Sequence, residues 1–113
     1  MDEIEVREID SNQFDDIEDM KELISNEINR SALYEHLAEE ASELAQAALK
    51  VARIQRGENP CGTEIEEALD NMVEEFTDVM LVSDIIGYEK NESIYIHKIQ
   101  RWVNRILARR HLA

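Results

Sequence analysis

The chain contains very few residues that interrupt a helix, and this constrains its fold more than any other feature. It has three glycines and one proline in 113 residues, and two of those glycines and the proline lie within residues 57–62. Because Gly and Pro dominate turns and loops, their scarcity predicts an all-α fold of long helices joined by short connections. An aromatic fraction of 5% also leaves little material for strands.

Four helical segments follow from the spacing of apolar residues and from the residues that separate them. The first helix is expected to begin near Phe14, and the second to run from an N-cap at Ser31 to Arg56. The third is expected to run from a capping box of Thr63 and Glu66 to just before Gly87, and the fourth to begin near Asn91 or Glu92. We therefore predict a four-helix-type bundle in which the second and third helices form a long antiparallel pair.

The length of the chain suits one compact domain. We expect residues 14–113 to form this domain, preceded by a flexible acidic segment at residues 1–13. The formal net charge is −14, whereas residues 90–113 carry six basic side chains and one acidic side chain. A protein this acidic is not expected to bind nucleic acid, because phosphate backbones are bound by excess Lys and Arg.

The cysteine content and the hydropathy both bear on the compartment. The single Cys61 cannot form an internal disulfide, which suits a reducing environment and leaves it an incidental loop thiol. No apolar run approaches membrane-spanning length, and the acidic N-terminus does not resemble a secretory signal. We expect a soluble cytoplasmic protein with no membrane partner.

Two pairs of acidic residues occupy positions where a helix pair needs apolar side chains. On the second helix, Glu40 has an apolar residue three positions before it and another four positions after it. On the third helix, Glu75 has apolar residues at the same two spacings. Both therefore fall inside an apolar stripe. Glu43 and Asp78 follow one turn later. Each helix thus directs two carboxylates, spaced i,i+3, toward the other helix.

Carboxylates in such positions need a counter-charge. Burial penalises each ionised group, and facing groups repel one another. A hard divalent cation relieves both effects, and an all-oxygen donor set without Cys favours Mg²⁺, with Mn²⁺ possible, over zinc. A di-iron bundle would show Glu-x-x-His on two helices, and this chain has none. The alternative is that these acids are solvated residues of a Glu-rich surface.

The run Glu39-Glu40-Ala41-Ser42-Glu43, followed by Glu75-Phe76-Thr77-Asp78, resembles the EExxE…ExxD signature of the MazG-like all-α nucleoside triphosphate pyrophosphohydrolases. The resemblance covers residues from about 30 to 105. It implies Mg²⁺-dependent cleavage of the α–β phosphate bond of a (d)NTP, which yields a nucleoside monophosphate and pyrophosphate. Carried over by position, it implies four metal ligands and one assisting residue: Glu40, Glu43, Glu75 and Asp78, with Glu39 as the assistant.

Such a hydrolysis needs a base and further cations near the phosphates. A carboxylate that is not fully committed to the metal, Glu39 or Glu43, is the candidate catalytic base. The basic residues that we select as candidate substrate contacts are Lys98, Arg101 and Arg105 on the fourth helix and Lys50 on the second. The alternative for each of them is an ordinary solubilising charge.

Three other side chains have two interpretations each. His36 lies one turn before Glu40, so it contacts substrate or metal, or it is a polar residue on the helix flank. Phe76 and Trp102 could stack on a nucleobase, but their spacing matches the apolar stripes and predicts core positions.

A four-helix subunit of this size leaves a shallow groove, so we expect a homodimer or homotetramer that completes the site between subunits. The competing function is a non-catalytic helical interaction module, such as an adaptor or antitoxin-like protein, whose acidic start binds a basic partner.

Overall fold

The computed structural model describes residues 16–59 and 62–112. It contains four helices, which are α1 (Ile17–Glu27), α2 (Arg30–Gln55), α3 (Ile65–Ile86) and α4 (Glu92–Leu112), and the described residues contain no strand. The all-α prediction is confirmed. The predicted acidic segment at residues 1–13, the predicted helix start at Phe14 and the thiol of Cys61 lie outside the described residues.

The N-cap of α2 is Asn29, not Ser31 as predicted. The Asn29 Oδ1 accepts a hydrogen bond from the backbone N–H of Ala32 at 2.8 Å and another from the Ser31 hydroxyl at 2.9 Å. Asn29 is in an extended conformation, and the helix starts at the next residue. Asn and Ser are both good N-cap residues. Asn29 is the N-cap because its side chain accepts the hydrogen bond from a free N–H group of the first turn.

The predicted capping box at Thr63 is also wrong. The N-cap of α3 is Glu64, which makes no side-chain capping hydrogen bond. Thr63 lies before the helix, and its carbonyl accepts a hydrogen bond from the Asn59 side-chain amide at 2.7 Å. The predicted end of α3 is confirmed, because Gly87 follows it with φ of 102°, a left-handed conformation that glycine adopts without steric cost.

α2 and α3 pack along their length as an antiparallel pair. At one end of the pair, the Arg30 guanidinium donates to the carbonyl of Ile86 at 3.0 Å. Buried and half-buried residues recur at spacings of four and three on both helices: Leu33, Leu37, Glu40, Leu44, Ala47 and Val51 on α2, and Ala68, Met72, Glu75, Val79, Val82 and Ile86 on α3. This is the heptad spacing of a coiled coil, and two of its positions hold glutamates.

The apolar core is small and lies near one end of this pair. Leu33, Val82 and Ile86 are its buried members, with Leu37 and Ile85 packed against them. α1 packs against α3. None of the described helices combines the length and the apolar character needed to cross a membrane.

α4 lies apart from the other helices, with at most marginal contact to them. Every residue from 92 to 111 is exposed. The radius of gyration is 19.0 Å, whereas a compact chain of this length has a value of about 13 Å. The predicted closure of all four helices into one bundle is therefore not confirmed within a single chain.

The core positions predicted for Phe76 and Trp102 are wrong within one chain. Phe76 is 52% exposed and Trp102 is 69% exposed. Phe76 lies next to the α3 stripe that faces α2, about 100° round the helix from Glu75, and Trp102 lies on the isolated α4. Both belong to apolar surfaces that no described part of the same chain covers.

Candidate metal centre

The structure brings the four predicted carboxylates together in the middle of the α2–α3 pair. One carboxylate oxygen from each of Glu40, Glu43, Glu75 and Asp78 lies within 4.8 Å of the other three. Glu40 has no exposed surface, and the other three are half-buried. The cause is the antiparallel register, because Glu40 and Glu75 fill heptad positions at the same level of the pair. We call these four residues the carboxylate cluster.

Two oxygens of the cluster are buried without a donor. Neither Glu40 Oε2 nor Glu75 Oε2 receives a hydrogen bond from any donor group of the described residues. A buried polar atom in this state normally costs about 1–3 kcal/mol, and more if it is charged. The cluster therefore presents acceptor atoms that no donor in residues 16–59 and 62–112 satisfies.

The electrostatics of the cluster favour protonation in the absence of a cation. Burial raises the pKa of Glu40 above its ordinary value, and the nearby charges of Glu43 and Asp78 raise it further. Burial likewise raises the pKa of Glu75, with the charge of Glu43 as the next cause. Glu43 is close enough to form a carboxyl–carboxyl hydrogen bond with either glutamate, which requires a shared proton. A divalent cation could replace that proton.

His36 contacts the cluster directly. Its Nε2 lies 3.1 Å from Glu40 Oε1, and this hydrogen bond opposes the rise in the pKa of Glu40. The histidine is 37% exposed, so it lies at the edge of the buried cluster. It contacts Oε1 of Glu40, and Oε2 has no hydrogen-bond partner in the part of the chain that the structure describes. The structure thus shows a contact with a candidate metal ligand, and contact of His36 with substrate or metal stays a prediction.

Glu39 and Thr77 lie close to the cluster in sequence but do not join it. Glu39 is exposed, because it is turned about 100° round α2 from Glu40. The Thr77 hydroxyl donates to the carbonyl of Val73 at 2.7 Å, so it is committed to its own helix. Of the two candidate bases, the structure places Glu43 in the cluster and Glu39 outside it.

The predicted basic residues fall into two groups. Lys98, Arg101 and Arg105 line a recess of about 200 Å³ on α4, together with Trp102. Since α4 has at most marginal contact with α2 and α3, a single chain does not bring these three cations to the carboxylate cluster.

Lys50 lies on α2 two turns beyond Glu43, and it borders a recess of about 380 Å³ between the end of α2 and the start of α3. The other lining residues are Thr63, Glu67, Ala68, Asp70, Asn71 and Glu74. The apolar spacing in the sequence did not predict this polar group. The position of Asn71, about one turn before Glu75 on the same helix, is the signal that could have indicated it.

Comparison of this chain with protein-family models, with curated proteins and with solved structures found no match. The motif resemblance therefore stays a prediction.

Proposed function

We propose that this chain is a Mg²⁺-dependent nucleoside triphosphate pyrophosphohydrolase that cleaves the α–β phosphate bond of a (d)NTP. The observation that carries the proposal is the fully buried Glu40, which lies among three other carboxylates and whose Oε2 receives no hydrogen bond from the described residues. Buried like charges oppose folding unless a counter-charge compensates them. A cation bound by the cluster supplies that compensation, and its affinity is then coupled to folding.

The donor set supports Mg²⁺ as the cation, with Mn²⁺ as the alternative. All four donors are carboxylate oxygens, which suit hard divalent ions rather than zinc. Mg²⁺ sites in proteins usually combine one or two carboxylates with substrate phosphates. The four carboxylates of the cluster supply enough negative charge to bind Mg²⁺. A polyphosphate could then provide the remaining oxygen ligands of the ion.

The cation and the carboxylates have different roles in the proposed hydrolysis. A bound divalent cation supplies neutralisation of charge on the phosphate oxygens and orients a water molecule. Attack by the water oxygen forms a bond to one phosphorus and breaks the bond from that phosphorus to the α–β bridging oxygen. The proton of the water passes to a carboxylate. Glu43 fits this role better than Glu39, because it lies in the cluster whereas Glu39 is exposed.

Two further residues support this arrangement. His36 fixes one oxygen of Glu40 through the 3.1 Å hydrogen bond, which positions a metal ligand. Lys50 is the predicted substrate contact that a single chain can offer on the same face of α2 as Glu43. We propose that Lys98, Arg101 and Arg105 act only after assembly into a homodimer or homotetramer. A cytoplasmic location fits a substrate of this class.

A panel of ribo- and deoxyribonucleoside triphosphates tests the proposal. With Mg²⁺ the protein is expected to convert at least one of them to its monophosphate and pyrophosphate, in equal amounts, and EDTA is expected to abolish the reaction. Formation of a diphosphate and orthophosphate would contradict cleavage at the α–β bond. The absence of turnover for every nucleotide, with either Mg²⁺ or Mn²⁺, would contradict the enzymatic proposal as a whole.

The second candidate function, a non-catalytic helical interaction module, is favoured by one observation, the exposed apolar stripe of α4. It predicts no increase in melting temperature with Mg²⁺. It also predicts that Glu40→Gln raises the melting temperature equally with and without Mg²⁺, because the substitution only relieves repulsion. A rise in the melting temperature with Mg²⁺ that Glu40→Gln removes would favour the metal-dependent enzyme.

A further inference from the structure

α4 is a well-formed helix that has at most marginal contact with the other described helices. Its N-terminus is capped by Asn91, whose Oδ1 accepts from the Ile94 N–H at 3.0 Å, and its last turn is basic. One face carries a stripe of large apolar residues, each at least 42% exposed: Tyr95, Ile96, Ile99, Trp102, Val103, Ile106 and Leu107. Isolated helices are marginal in water, and packing of the apolar face supplies most helix stability in proteins. The stripe of α4 therefore requires a cover.

α3 has a second apolar face of the same kind. Leu69, Val73, Phe76 and Met80 recur at spacings of four, three and four, and Val73 is 65% exposed. This outer stripe of α3 lies one residue round the helix from the stripe that packs on α2. A helix that is apolar on two adjacent faces is built to be covered on both.

The two helices that carry these exposed stripes are opposite in charge. α3 contains seven acidic residues and no basic residue, whereas α4 contains five Lys or Arg residues and one acidic residue. Lys98, Arg101 and Arg105 all lie along one edge of the α4 stripe, at spacings of three and four. Opposite charge beside matching apolar faces favours specific pairing of α4 with α3.

We propose that a second copy of this chain covers both stripes, with α4 of each copy packed on the outer stripe of α3 of the other. Such an arrangement is reciprocal, as a two-fold dimer requires. Half-exposed apolar side chains in this number present on the order of 1,000 Å² per copy, and a stable interface needs about 800 Å² from each partner. The pairing completes between two copies the four-helix arrangement that one chain leaves open.

The pairing also brings cations to the carboxylate cluster. The outer stripe of α3 contains Phe76, directly after Glu75, and Met80, two residues after Asp78. A helix packed on that stripe lies within one helix width of both acids. The basic edge of α4, made of Lys98, Arg101 and Arg105, is then supplied by the other copy. This consequence rests on the proposed function, whereas the interface itself does not.

The mass in solution tests the interface without any nucleotide. Light scattering at about 10 µM is expected to give a dimer or a multiple of it. Val103→Lys, in the middle of the α4 stripe, is expected to give monomers in which α4 loses the packing that stabilises it while α2 and α3 stay helical. The matched control is Asn104→Lys, which adds the same charge at the neighbouring position off the stripe and is expected to remain a dimer. A monomeric wild-type protein would overturn the proposal.

Cross-linking tests which helices meet. In a Cys61→Ser background, one variant carries Val73→Cys on α3 and a second, of different mass, carries Val103→Cys on α4. A short bis-maleimide added to the mixture is expected to yield the mixed dimer of the two variants. Exclusive formation of dimers of the α4 variant with itself would overturn the proposed pairing. So would a chain carrying both cysteines that cross-links only within itself.

Complementation tests the shared site. Glu75→Gln and the double variant Arg101→Glu/Arg105→Glu are each expected to be inactive. After mixing, activity is expected to return to about a quarter of the wild-type value, since half of the dimers are mixed and each has one intact site. No recovery, in mixtures that cross-linking shows to contain mixed dimers, would overturn the shared site and leave the interface standing. Absence of activity in the wild type would instead overturn the proposed function.

Discussion

Glu40 and Glu75 stand at heptad positions that apolar residues fill elsewhere in the α2–α3 pair. At these positions an ionised carboxylate loses hydration and faces other acids. The two glutamates therefore lower the free energy of unfolding of the metal-free protein, and a bound cation is expected to offset this effect.

The first prediction concerns pH. Burial raises the pKa of both glutamates above their ordinary value of 4.5, so between that value and the raised value the folded protein binds more protons than the unfolded chain. Their contribution to the free energy of unfolding therefore falls as pH rises from about 4.5 through the raised pKa values. In EDTA, the melting temperature of Glu40→Gln/Glu75→Gln should exceed that of the wild type by an amount that increases from pH 5 to pH 8.

Each kcal/mol corresponds to about 4–8 °C for a domain of this size, so the difference is measurable by calorimetry. Glu35→Gln, an exposed position on the same helix, serves as the control and should follow the wild type. Melting temperatures of the wild type and the double variant that run parallel across this pH range would contradict the assigned electrostatics.

The second prediction concerns His36. Removal of a side chain that orients a metal ligand typically lowers metal affinity by about 10–100-fold. His36→Ala is therefore expected to weaken Mn²⁺ binding by a factor in this range, measured by isothermal titration calorimetry. His97→Ala, on the exposed α4, should bind as the wild type does. Equal affinity for all three proteins would show that the hydrogen bond to Glu40 does not matter for binding.

At the scale of elements, the N-cap of α2 gives a testable prediction. Asn29→Ala removes the side chain that caps α2 and is expected to lower the free energy of unfolding by about 0.5–2 kcal/mol. Ser31→Ala removes only a hydroxyl that donates to Asn29 and should cost less than Asn29→Ala. Urea unfolding of both variants distinguishes the two positions, and a larger effect at Ser31 would restore the cap that the sequence predicted.

The helices and the carboxylate cluster were predictable from the sequence, but not every surface was. The ends of α2 and α3 at Gly57 and Gly87 were predictable, because glycine reaches the left-handed conformation that both adopt. Glu40 and Glu75 were predictable because each interrupts a regular apolar spacing. The environment of Phe76 was not, since α3 is apolar over two adjacent faces. Spacing alone does not say which face packs within the chain and which packs against another molecule.

At the scale of the whole molecule, the distribution of exposed apolar surface is the dominant feature. The apolar stripe of α4 and the outer stripe of α3 leave the single chain extended, with a radius of gyration of 19.0 Å. Burial of a large apolar side chain contributes about 1.5–3 kcal/mol, so association and folding are expected to be coupled.

Such coupling predicts that stability depends on protein concentration. Because association stabilises the folded state by mass action, the melting temperature of the wild type should fall when the protein is diluted from about 100 µM to 1 µM. The melting temperature of Val103→Lys should be independent of dilution and lower than that of the wild type at the higher concentration. A wild-type melting temperature that does not change on dilution would indicate that α4 folds without a second copy.

The central claim is that the buried carboxylate cluster performs Mg²⁺-dependent hydrolysis, and one comparison of rates tests it most directly. The rate of nucleoside monophosphate formation at saturating Mg²⁺ is measured for the wild type, Glu40→Gln and Glu35→Gln with the best nucleotide. We predict a loss of at least about 100-fold for Glu40→Gln, equivalent to about 2.7 kcal/mol of transition-state stabilisation, and no change for Glu35→Gln. A Glu40→Gln protein that retains the wild-type rate would contradict the claim.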